Sequence, residues 1–263
     1  DSVGLLDKYY PDCKFYSEAE FFFLSLHDLN KTDETKIDYV AIASPNYMHF
    51  PQSVLSLNLG SNVICEKPLV GSVHHLDELR CVEEQTGNKV YPILQLRLHE
   101  QVDHLRTAHN EGRLGKGGQL TYVTSRGNWY LQSWKNNFRQ SFGISANIGI
   151  HFFDLLCHVF SSPTNIEVFK SDEKSTEGKL TFGDTEIIWH LSVDKNDLPP
   201  ETPLTVKTFR NLTLSEFSFE FSDGFTELHN QTYADIVNGK GLPLEETREA
   251  IKIVEFINNA LTN

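Results

Sequence analysis

The feature that most constrains the fold is a regular alternation of apolar runs and amphipathic segments between residues 37 and 96. The runs "IDYVAIA", "NVIC" and "KVYPILQL" are apolar and rich in β-branched residues, which is typical of parallel strands buried on both faces. The segments between them have helical length and end in glycine. An earlier segment, "SEAEFFFLSLHDLN", predicts a helix with Ser17 as its cap and Glu20 completing a capping box. This order predicts a doubly wound parallel sheet.

The pattern changes after residue 96. A helix near 99–112 is followed by a strand, and residues 165–220 then contain several runs of alternating character, such as "GKLTFGD" and "TEIIWHLSVD". Such runs predict an antiparallel sheet, and two helices close the chain. The expected fold class is therefore α/β, with an incomplete doubly wound domain followed by an α/β domain with a mostly antiparallel sheet. The predicted limits are 1–96 and 97–242, with a C-terminal helix at 243–263 that packs back on the first domain.

Composition and charge limit the classes of function. The chain has 263 residues, of which 39% are hydrophobic and 22% charged, as in globular proteins. Its formal net charge of −13 argues against nucleic acid or an anionic membrane as the main partner. We find no run of about eighteen apolar residues that predicts a membrane span, and no signal peptide at the start. The four cysteines lack metal-ligand spacing, so we expect no metal and a reducing, cytoplasmic setting.

A lysine follows the second buried strand directly. In "VICEKPLVG" the apolar run ends at Glu66 and Lys67, and Pro68 fixes the backbone after them. One interpretation is that the strand has reached solvent, because strand ends in such domains are often charged. The other is that Lys67 points at a ligand, because open α/β sheets bind ligands beyond the carboxyl ends of their strands.

The neighbouring strands also end in polar residues. The loop "SPNYMH" and the run "ILQLRLH" place several polar groups at the same predicted edge of the sheet as Lys67. A turn with a helix cap is the simpler interpretation of each loop taken alone. Their convergence predicts one cleft. The residues concerned are Ser44, Pro45, Asn46, His49, Gln95 and Arg97.

A predicted helix at 145–160 carries three polar residues on one face. Asn147, His151 and Asp154 have the spacing i, i+4 and i+7 within an otherwise apolar segment. A lone histidine on a helix is usually structural, but burying three polar groups without partners would be costly. The segments "SRGNWYLQSW" and "KNNFR" add aromatic and basic residues. They form either a surface loop with buried tryptophans or a site for an anionic sugar nucleotide, through stacking and charge-assisted hydrogen bonds.

The chain resembles the glucose–fructose oxidoreductase/inositol dehydrogenase (Gfo/Idh/MocA) family. The hallmark lies in "IDYVAIASPNYMHFPQSVLSLNLGSNVICEKPL", and "GRLGKG" and "GIHFFD" match the second domain of that family. Within the family, "TSRGNWY", "NIGIHF" and "SVDKNDLP" are most similar to UDP-2-acetamido-2-deoxyglucuronate 3-dehydrogenases of bacterial surface-polysaccharide synthesis. The resemblance implies a Rossmann domain, NAD as cofactor and a homodimer or homotetramer.

The implied reaction is oxidation of the carbon-3 hydroxyl of a UDP-N-acetylated glucuronic acid to the 3-keto sugar, for O-antigen of lipopolysaccharide. The alternatives are a family dehydrogenase acting on a free sugar or polyol, and a sugar-sensing homologue without catalysis. The resemblance assigns catalysis to Lys67 and His151, and which of them is the base stays open. It assigns cofactor contacts to Ser44, Pro45, Asn46, His49, Glu66, Lys67, Gln95 and Arg97. It assigns substrate contacts to Lys67, Arg126, Trp129, Tyr130, Arg139, Asn147, His151 and Asp154.

Two departures from the family pattern bear on these expectations. Many members have aspartate where this chain has Asn147, so we expect no carboxylate chemistry there. The chain also begins about 35 residues later than the family pattern, after the first strand, the G-x-G-x-x-G loop and the acidic residue that grips the adenine ribose. We therefore expect a fragment of a full enzyme that by itself has an incomplete cofactor site.

Overall fold

The computed structural model describes residues 8–203, 205–215, 217–221 and 225–260. The first part of the chain forms a three-stranded parallel sheet in the order β1-β2-β3, with helices between successive strands. The strands are β1 (Tyr39–Ile42), β2 (Asn62–Cys65) and β3 (Val90–Pro92), and the helices are α1 (Ala19–Leu29), α2 (His49–Asn58) and α3 (Val73–Thr86). This arrangement confirms the predicted parallel sheet. The outer limits of the predicted domains, residues 1 and 263, lie outside the described residues.

Local signals predicted some helix ends correctly and others not. Ser72 caps α3 by accepting a hydrogen bond from the backbone N–H of His75 at 3.3 Å, and Gly87 ends that helix with a φ of 74°. The capping box predicted at Ser17 is wrong. Glu18 is the N-cap of α1, because it has the extended backbone that precedes the first helical turn, and its side chain makes no capping hydrogen bond.

The second part of the chain forms a six-stranded sheet in the order β5-β6-β7-β4-β8-β9. Only the β4–β7 pair among these described strands is parallel, which confirms the prediction of a mostly antiparallel sheet. The strands are β4 (Gly117–Thr124), β5 (Asn165–Ser171), β6 (Ser175–Phe182), β7 (Thr185–Ser192), β8 (Thr208–Leu214) and β9 (Phe217–Glu220). The helices are α4 (Glu100–Asn110), α5 (Asn128–Gln132), α6 (Phe138–Ser141), α7 (Ile150–Phe160), α8 (Phe225–Val237) and α9 (Arg248–Ala260).

Helix α7 lies in the core between the sheet and the remaining helices. Phe152 and Phe153 are fully buried, and they meet Tyr122 and Trp189 edge to face at centroid distances of 5.6 and 5.7 Å. Such pairs add to the stabilisation from burial alone. A π-helical turn, Ser145–Gly149, precedes α7, where the sequence predicted continuous α-helix.

One described segment, 138–160, is long and apolar enough to cross a membrane by length and composition, although no such run was expected from the sequence. The most apolar window of this segment is 78% buried inside the fold. A core helix of a globular domain passes the same test, because burial on all sides selects the same apolar residues as lipid does. The segment is therefore weak evidence for a membrane span.

The last helix returns to the first part of the chain. Arg248 of α9 donates to Asp77 of α3 at 2.7 Å, and Glu255 accepts from the backbone N–H of Val73 at 3.3 Å. At the other end of α9, the Asn258 side chain accepts from the Ser145 hydroxyl at 2.8 Å. These contacts tie α9 to both parts of the fold, while the exact domain limits stay a prediction.

Candidate active site

A cleft of about 180 Å³ opens at the carboxyl ends of β1 and β2. The loops that follow these strands form one wall, and the segment 126–148 of the second part of the chain forms the other. This is the edge at which open parallel sheets bind ligands. The lining residues are Ala43, Ser44, Asn46, His49, Glu66, Lys67, Arg126, Tyr130, Trp134, Lys135, Asn147 and Ile148.

Lys67 is a partly buried cation that joins the two walls. Its Nζ donates a hydrogen bond to the backbone carbonyl of Asn147 at 2.5 Å. Burial lowers the pKa of Lys67 to about 8, against the opposing effect of Glu66 and with the further lowering effect of Lys135. A lysine of this kind can change its protonation state near neutral pH, which is a property of functional lysines.

His151 lies behind the cleft wall, in the first turn of α7. Its side chain is only 7% exposed and does not line the cleft itself. Burial lowers the pKa of His151 well below 6.5, and the positive charges of Lys67 and Arg210 lower it further. The imidazole is therefore neutral at physiological pH, which is the form that accepts a proton.

The side chain of Asn147 is held from both walls. Its Oδ1 accepts from Asn46 at 3.3 Å, and its Nδ2 lies 3.2 Å from the carbonyl of Lys135 and 3.4 Å from the hydroxyl of Tyr130. The π-helical turn presents both the side chain and the backbone carbonyl of Asn147 to the cleft. Asn147 thus connects Lys67 with the segment that contains Tyr130 and Lys135.

The loop after β1 is ordered by its own polar residues. Asn46 donates to the carbonyl of Ser141 at 2.7 Å, and the Ser44 hydroxyl donates to Gln52 at 2.7 Å. The two ring nitrogens of His49 lie 2.7 and 2.8 Å from the carbonyls of Pro68 and Ser44, and the side chain is 1% exposed. His49 therefore ties the loops after β1 and β2 together, and its cofactor contact stays a prediction, since it also lines the cleft. Pro45 is the N-cap residue of the short 3-10 turn Asn46–Met48. Its side chain has no polar group that could donate a hydrogen bond to a cofactor.

Two predicted site residues bind each other instead of lining the cleft. Arg97 makes a bidentate ion pair with Asp154, at 2.7 and 2.8 Å, and both side chains are largely buried. Arg97 also donates to the side chain and the backbone carbonyl of Glu246 at 3.0 and 2.9 Å. These contacts give Arg97 and Asp154 a structural role, and the cofactor role of Arg97 and the substrate role of Asp154 gain no support from their positions. Gln95 lies in a 3-10 turn and also stays off the cleft wall.

The aromatic and basic segment 125–139 also contains residues that line the cleft and residues that do not. Arg126 and Tyr130 line the cleft as the sequence predicted. Trp129 is 52% exposed and Arg139 is exposed on α6, and neither lines the cleft. The direct substrate contacts expected for these two residues are not supported, because the short helices α5 and α6 turn their side chains outward.

Three cleft features were not predicted as single residues. Lys135 and Trp134 line the cleft, although the sequence analysis selected only the stretches that contain them. Glu66 is paired with His229 of α8 at 2.7 Å, across 163 residues of sequence. No sequence signal could find this pair, because nothing local to His229 distinguishes it from a surface histidine.

Comparisons with known proteins agree with this geometry. The family model described as "Oxidoreductase family, NAD-binding Rossmann fold" matches residues 3–93, and the model of the C-terminal α/β domain matches residues 110–198. Crystal structures of the WlbA (WbpB) dehydrogenase from Thermus thermophilus superpose with TM-scores of 0.93 and 0.92 at 38% and 37% identity. Both alignments cover 97% of this chain and 83% of that chain. One of these structures contains NAD and alpha-ketoglutarate, and the other contains NAD and UDP-GlcNAcA.

Curated relatives align over shorter stretches. The D-glucoside 3-dehydrogenase of Escherichia coli is 28% identical over 137 residues, which are 49% of this chain and 37% of that protein. Alignments with two uncharacterised oxidoreductases, from Rhizobium meliloti and Escherichia coli, cover 35% and 48% of those proteins. The chain thus spans less than half the length of these three curated relatives.

Proposed function

Because this chain belongs to the Gfo/Idh/MocA oxidoreductase family, we propose that it forms the catalytic cleft of an NAD-dependent sugar-nucleotide dehydrogenase. The proposed reaction oxidises the carbon-3 hydroxyl of UDP-2-acetamido-2-deoxyglucuronic acid to a ketone. The observation that carries the proposal is the partly buried Lys67, whose ammonium group bridges the two cleft walls. Its support from comparison is the 37% identity to a dehydrogenase that was crystallised with NAD and UDP-GlcNAcA.

The residues at the strand ends fit the nicotinamide half of NAD. Ser44 and Asn46 follow β1 and supply a hydroxyl and an amide, and Glu66 follows β2 and supplies a carboxylate that can accept hydrogen bonds from ribose hydroxyls. This donor and acceptor set lies where dinucleotides bind to open parallel sheets. Bound there, NAD⁺ would supply the hydride acceptor for oxidation of the sugar carbon.

Lys67 and His151 supply the acid–base chemistry in this proposal. The Lys67 ammonium stabilises the negative charge that develops on the sugar oxygen, and its hydrogen bond to Asn147 preorganises it for this role. His151 does not line the cleft in this structure, but it lies close enough to Lys67 for that charge to help lower its pKa well below 6.5. We therefore propose that this neutral imidazole accepts the hydroxyl proton in the substrate complex, where catalytic contacts tighten. Asn147 holds the ammonium group in place through its backbone carbonyl.

The charge of the cleft favours an anionic substrate. Among the described residues, three cations, Lys67, Arg126 and Lys135, line it against the single carboxylate of Glu66. The protein as a whole has a net charge of −13, so this positive cleft is a local feature. A UDP-sugar acid has charges on both its diphosphate and its carboxylate, and charge-assisted hydrogen bonds to them are stronger than neutral ones.

A second candidate is oxidation of a neutral sugar at carbon 3. It is favoured by the similarity to the D-glucoside 3-dehydrogenase of Escherichia coli over about half of this chain. A neutral glycoside needs no cluster of three cations, so the cleft composition favours the sugar-nucleotide acid.

The test offers the purified protein NAD⁺ with UDP-2-acetamido-2-deoxyglucuronic acid, UDP-N-acetylglucosamine or methyl glucoside. NADH formation is followed by absorbance, both in single-turnover and in multiple-turnover conditions. We expect NADH formation only with UDP-2-acetamido-2-deoxyglucuronic acid. When this substrate carries deuterium at carbon 3, we expect the deuterium in the reduced cofactor. Reaction with methyl glucoside alone would establish the second candidate. Absence of reaction with all three, in protein shown to bind NAD⁺, would refute the dehydrogenase proposal.

A further inference from the structure

The loop after β2 meets the segment before α7 at two points. At one point, the Lys67 ammonium group donates to the backbone carbonyl of Asn147. At the other, the ring of Phe142 lies directly against Gly71. We call this second contact, between Phe142 and Gly71, the clasp. The loop 66–71 and the segment 141–147 are therefore held together near both of their ends.

The clasp requires a glycine at position 71. A Cβ atom added to Gly71 would lie 2.8 Å from two ring carbons of Phe142, Cγ and Cδ1. Carbon atoms in contact prefer a separation of roughly 3.5–4.0 Å, so a larger residue would displace the ring. The φ of Gly71 lies outside the left-handed region, so its backbone does not require glycine. The space for the ring is therefore what the missing side chain supplies.

Phe142 itself has an unfavourable backbone conformation. It follows the last turn of α6 with a φ of 61° and a ψ of 27°, and among the described residues it is the only aromatic one with a positive φ. A bulky side chain rarely adopts this left-handed conformation. Such residues persist where the surrounding contacts hold them, and they are frequent at functional sites.

Hydrogen bonds on both sides of Phe142 hold this conformation. Asn258 donates to the carbonyl of Phe142 at 3.0 Å, and Asn46 donates to the carbonyl of Ser141 at 2.7 Å. The same Asn46 side chain donates to Oδ1 of Asn147 at 3.3 Å. The turn that carries the ring and the π-helical turn before α7 therefore share one anchor in the loop after β1.

We propose that Phe142 is a positioning residue for Lys67. The contact of its ring with Gly71 keeps the carbonyl of Asn147 at the ammonium group and keeps water away from it. Neither residue of the clasp lines the cleft, so both act through Lys67 and not on a ligand. The catalytic consequence of the clasp rests on the proposed function, whereas its effect on Lys67 can be measured without any reaction.

The protonation of Lys67 reports on the clasp. Burial is the largest influence on the pKa of Lys67 and lowers it to about 8. The charged and titratable side chains whose charges interact with it are Glu66, Lys135, Arg126, Arg210, His49 and His151. None of them belongs to the clasp. Loss of the ring should therefore act through hydration, and water that reaches the ammonium group should raise the pKa of Lys67 towards its ordinary value.

The test measures the rate of acetylation of Lys67 against pH by mass spectrometry, in the purified protein alone. Phe142→Asn removes the ring and keeps a residue that tolerates a positive φ. Its labelling midpoint should lie about half a pH unit or more above that of the parent protein. Gly71→Ala displaces the ring and should raise the midpoint similarly, while Phe142→Tyr keeps the ring and should keep the midpoint. Phe142→Asn and Gly71→Ala together should raise it no further, because both remove one contact.

The matched control is Phe217→Asn, which removes a partly buried ring of β9 that does not line the cleft. Its midpoint should equal that of the parent protein, and thermal unfolding checks that each variant is folded. Parent midpoints in folded Phe142→Asn and Gly71→Ala would overturn the clasp, even if the protein oxidises a UDP-sugar acid.

Kinetics separate the clasp from the proposed reaction. In active protein, the alkaline limb of kcat/KM should move to higher pH by the same amount as the labelling midpoint of Lys67. A raised midpoint with an unmoved limb would overturn the positioning role of Phe142 in catalysis. Raised midpoints in a protein that binds NAD⁺ but oxidises none of the offered sugars would support the clasp and overturn the proposed reaction.

Discussion

The ammonium group of Lys67 donates a 2.5 Å hydrogen bond to the backbone carbonyl of Asn147. The bond connects the end of strand β2 with the π-helical turn before α7, across 80 residues of sequence. It holds the proposed catalytic cation of the parallel-sheet region against the wall supplied by the second sheet region. The relative position of the two regions therefore sets the geometry of the proposed chemistry.

Replacement of Lys67 by methionine should lower kcat by about 10²-fold or more, which is the scale for loss of a preorganised electrostatic donor. Methionine fills most of the volume of the lysine side chain, so the free energy of unfolding should change little. The loss of kcat then reports the missing charge and not unfolding. UDP-sugar affinity should change much less than kcat, because the proposed role of the ammonium group is to stabilise charge that develops in the transition state. Steady-state kinetics and calorimetry check this, and a tenfold loss of affinity with unchanged kcat would contradict the role.

The pH dependence of kcat/KM separates the roles of Lys67 and His151. If Lys67 acts as a cation, kcat/KM should fall as the pH rises through about 8, where its ammonium group loses its proton. The acid limb should lie well below pH 6.5, because His151 becomes protonated only there. A value of kcat/KM that rises through pH 8 would instead make Lys67 the base.

Combining the two substitutions gives a second check of these roles. His151→Ala alone should lower kcat and remove the acid limb, and its residual activity should rise with pH as hydroxide replaces the base. The double variant of Lys67 and His151 should raise the activation free energy by much less than the sum of the two single increases, because both groups act on one proton transfer. Strict additivity with an unaltered pH profile would mean that the pair does not act together.

The buried ion pair between Arg97 and Asp154 should matter for stability. Arg97→Met leaves the Asp154 carboxylate buried without its partner, which should lower the free energy of unfolding by about 3–5 kcal/mol near neutral pH. Burial raises the pKa of Asp154 even with Arg97 present, and removal of Arg97 raises it further. The loss should therefore shrink as the pH falls and the carboxyl becomes neutral. Urea unfolding at several pH values measures this.

Two further variants serve as controls for that measurement. Arg97→Met combined with Asp154→Leu should recover part of the lost stability, because no charge is then left unpaired. Arg80→Met removes a surface arginine paired with Glu84 and should change stability by less than about 1 kcal/mol. A loss in Arg97→Met that is independent of pH would point to packing rather than to the charge of Asp154.

His229 should position the carboxylate of Glu66 for the cofactor. His229→Ala removes the 2.7 Å contact and should raise the KM for NAD⁺ by about fivefold, the scale of one hydrogen bond. His229→Gln can still donate to Glu66 and should restore most of the affinity. His74→Ala, on the exposed face of α3, is the control. Equal effects of the alanine and glutamine variants would argue against positioning through this contact.

Several elements of the fold could be predicted because their signals are local. The cap at Ser72 and the helix end at Gly87 depend on side-chain and backbone preferences of a few neighbouring residues. The π-helical turn at Ser145–Gly149 could not be predicted, since its sequence also fits α-helix and only the contacts of Asn147 with both cleft walls explain it.

The sequence by itself determined the alternation of strands and helices, the mostly antiparallel second sheet and the position of Lys67 at a strand end. These follow from hydrophobic periodicity and from the rule that parallel strands present their carboxyl ends at one edge. Only the tertiary structure decided the partners of each polar group. Arg97 binds Asp154, Glu66 binds His229, and Lys135 rather than Arg139 faces the cleft. Partner choice depends on distances between residues far apart in sequence, and no local pattern encodes those distances.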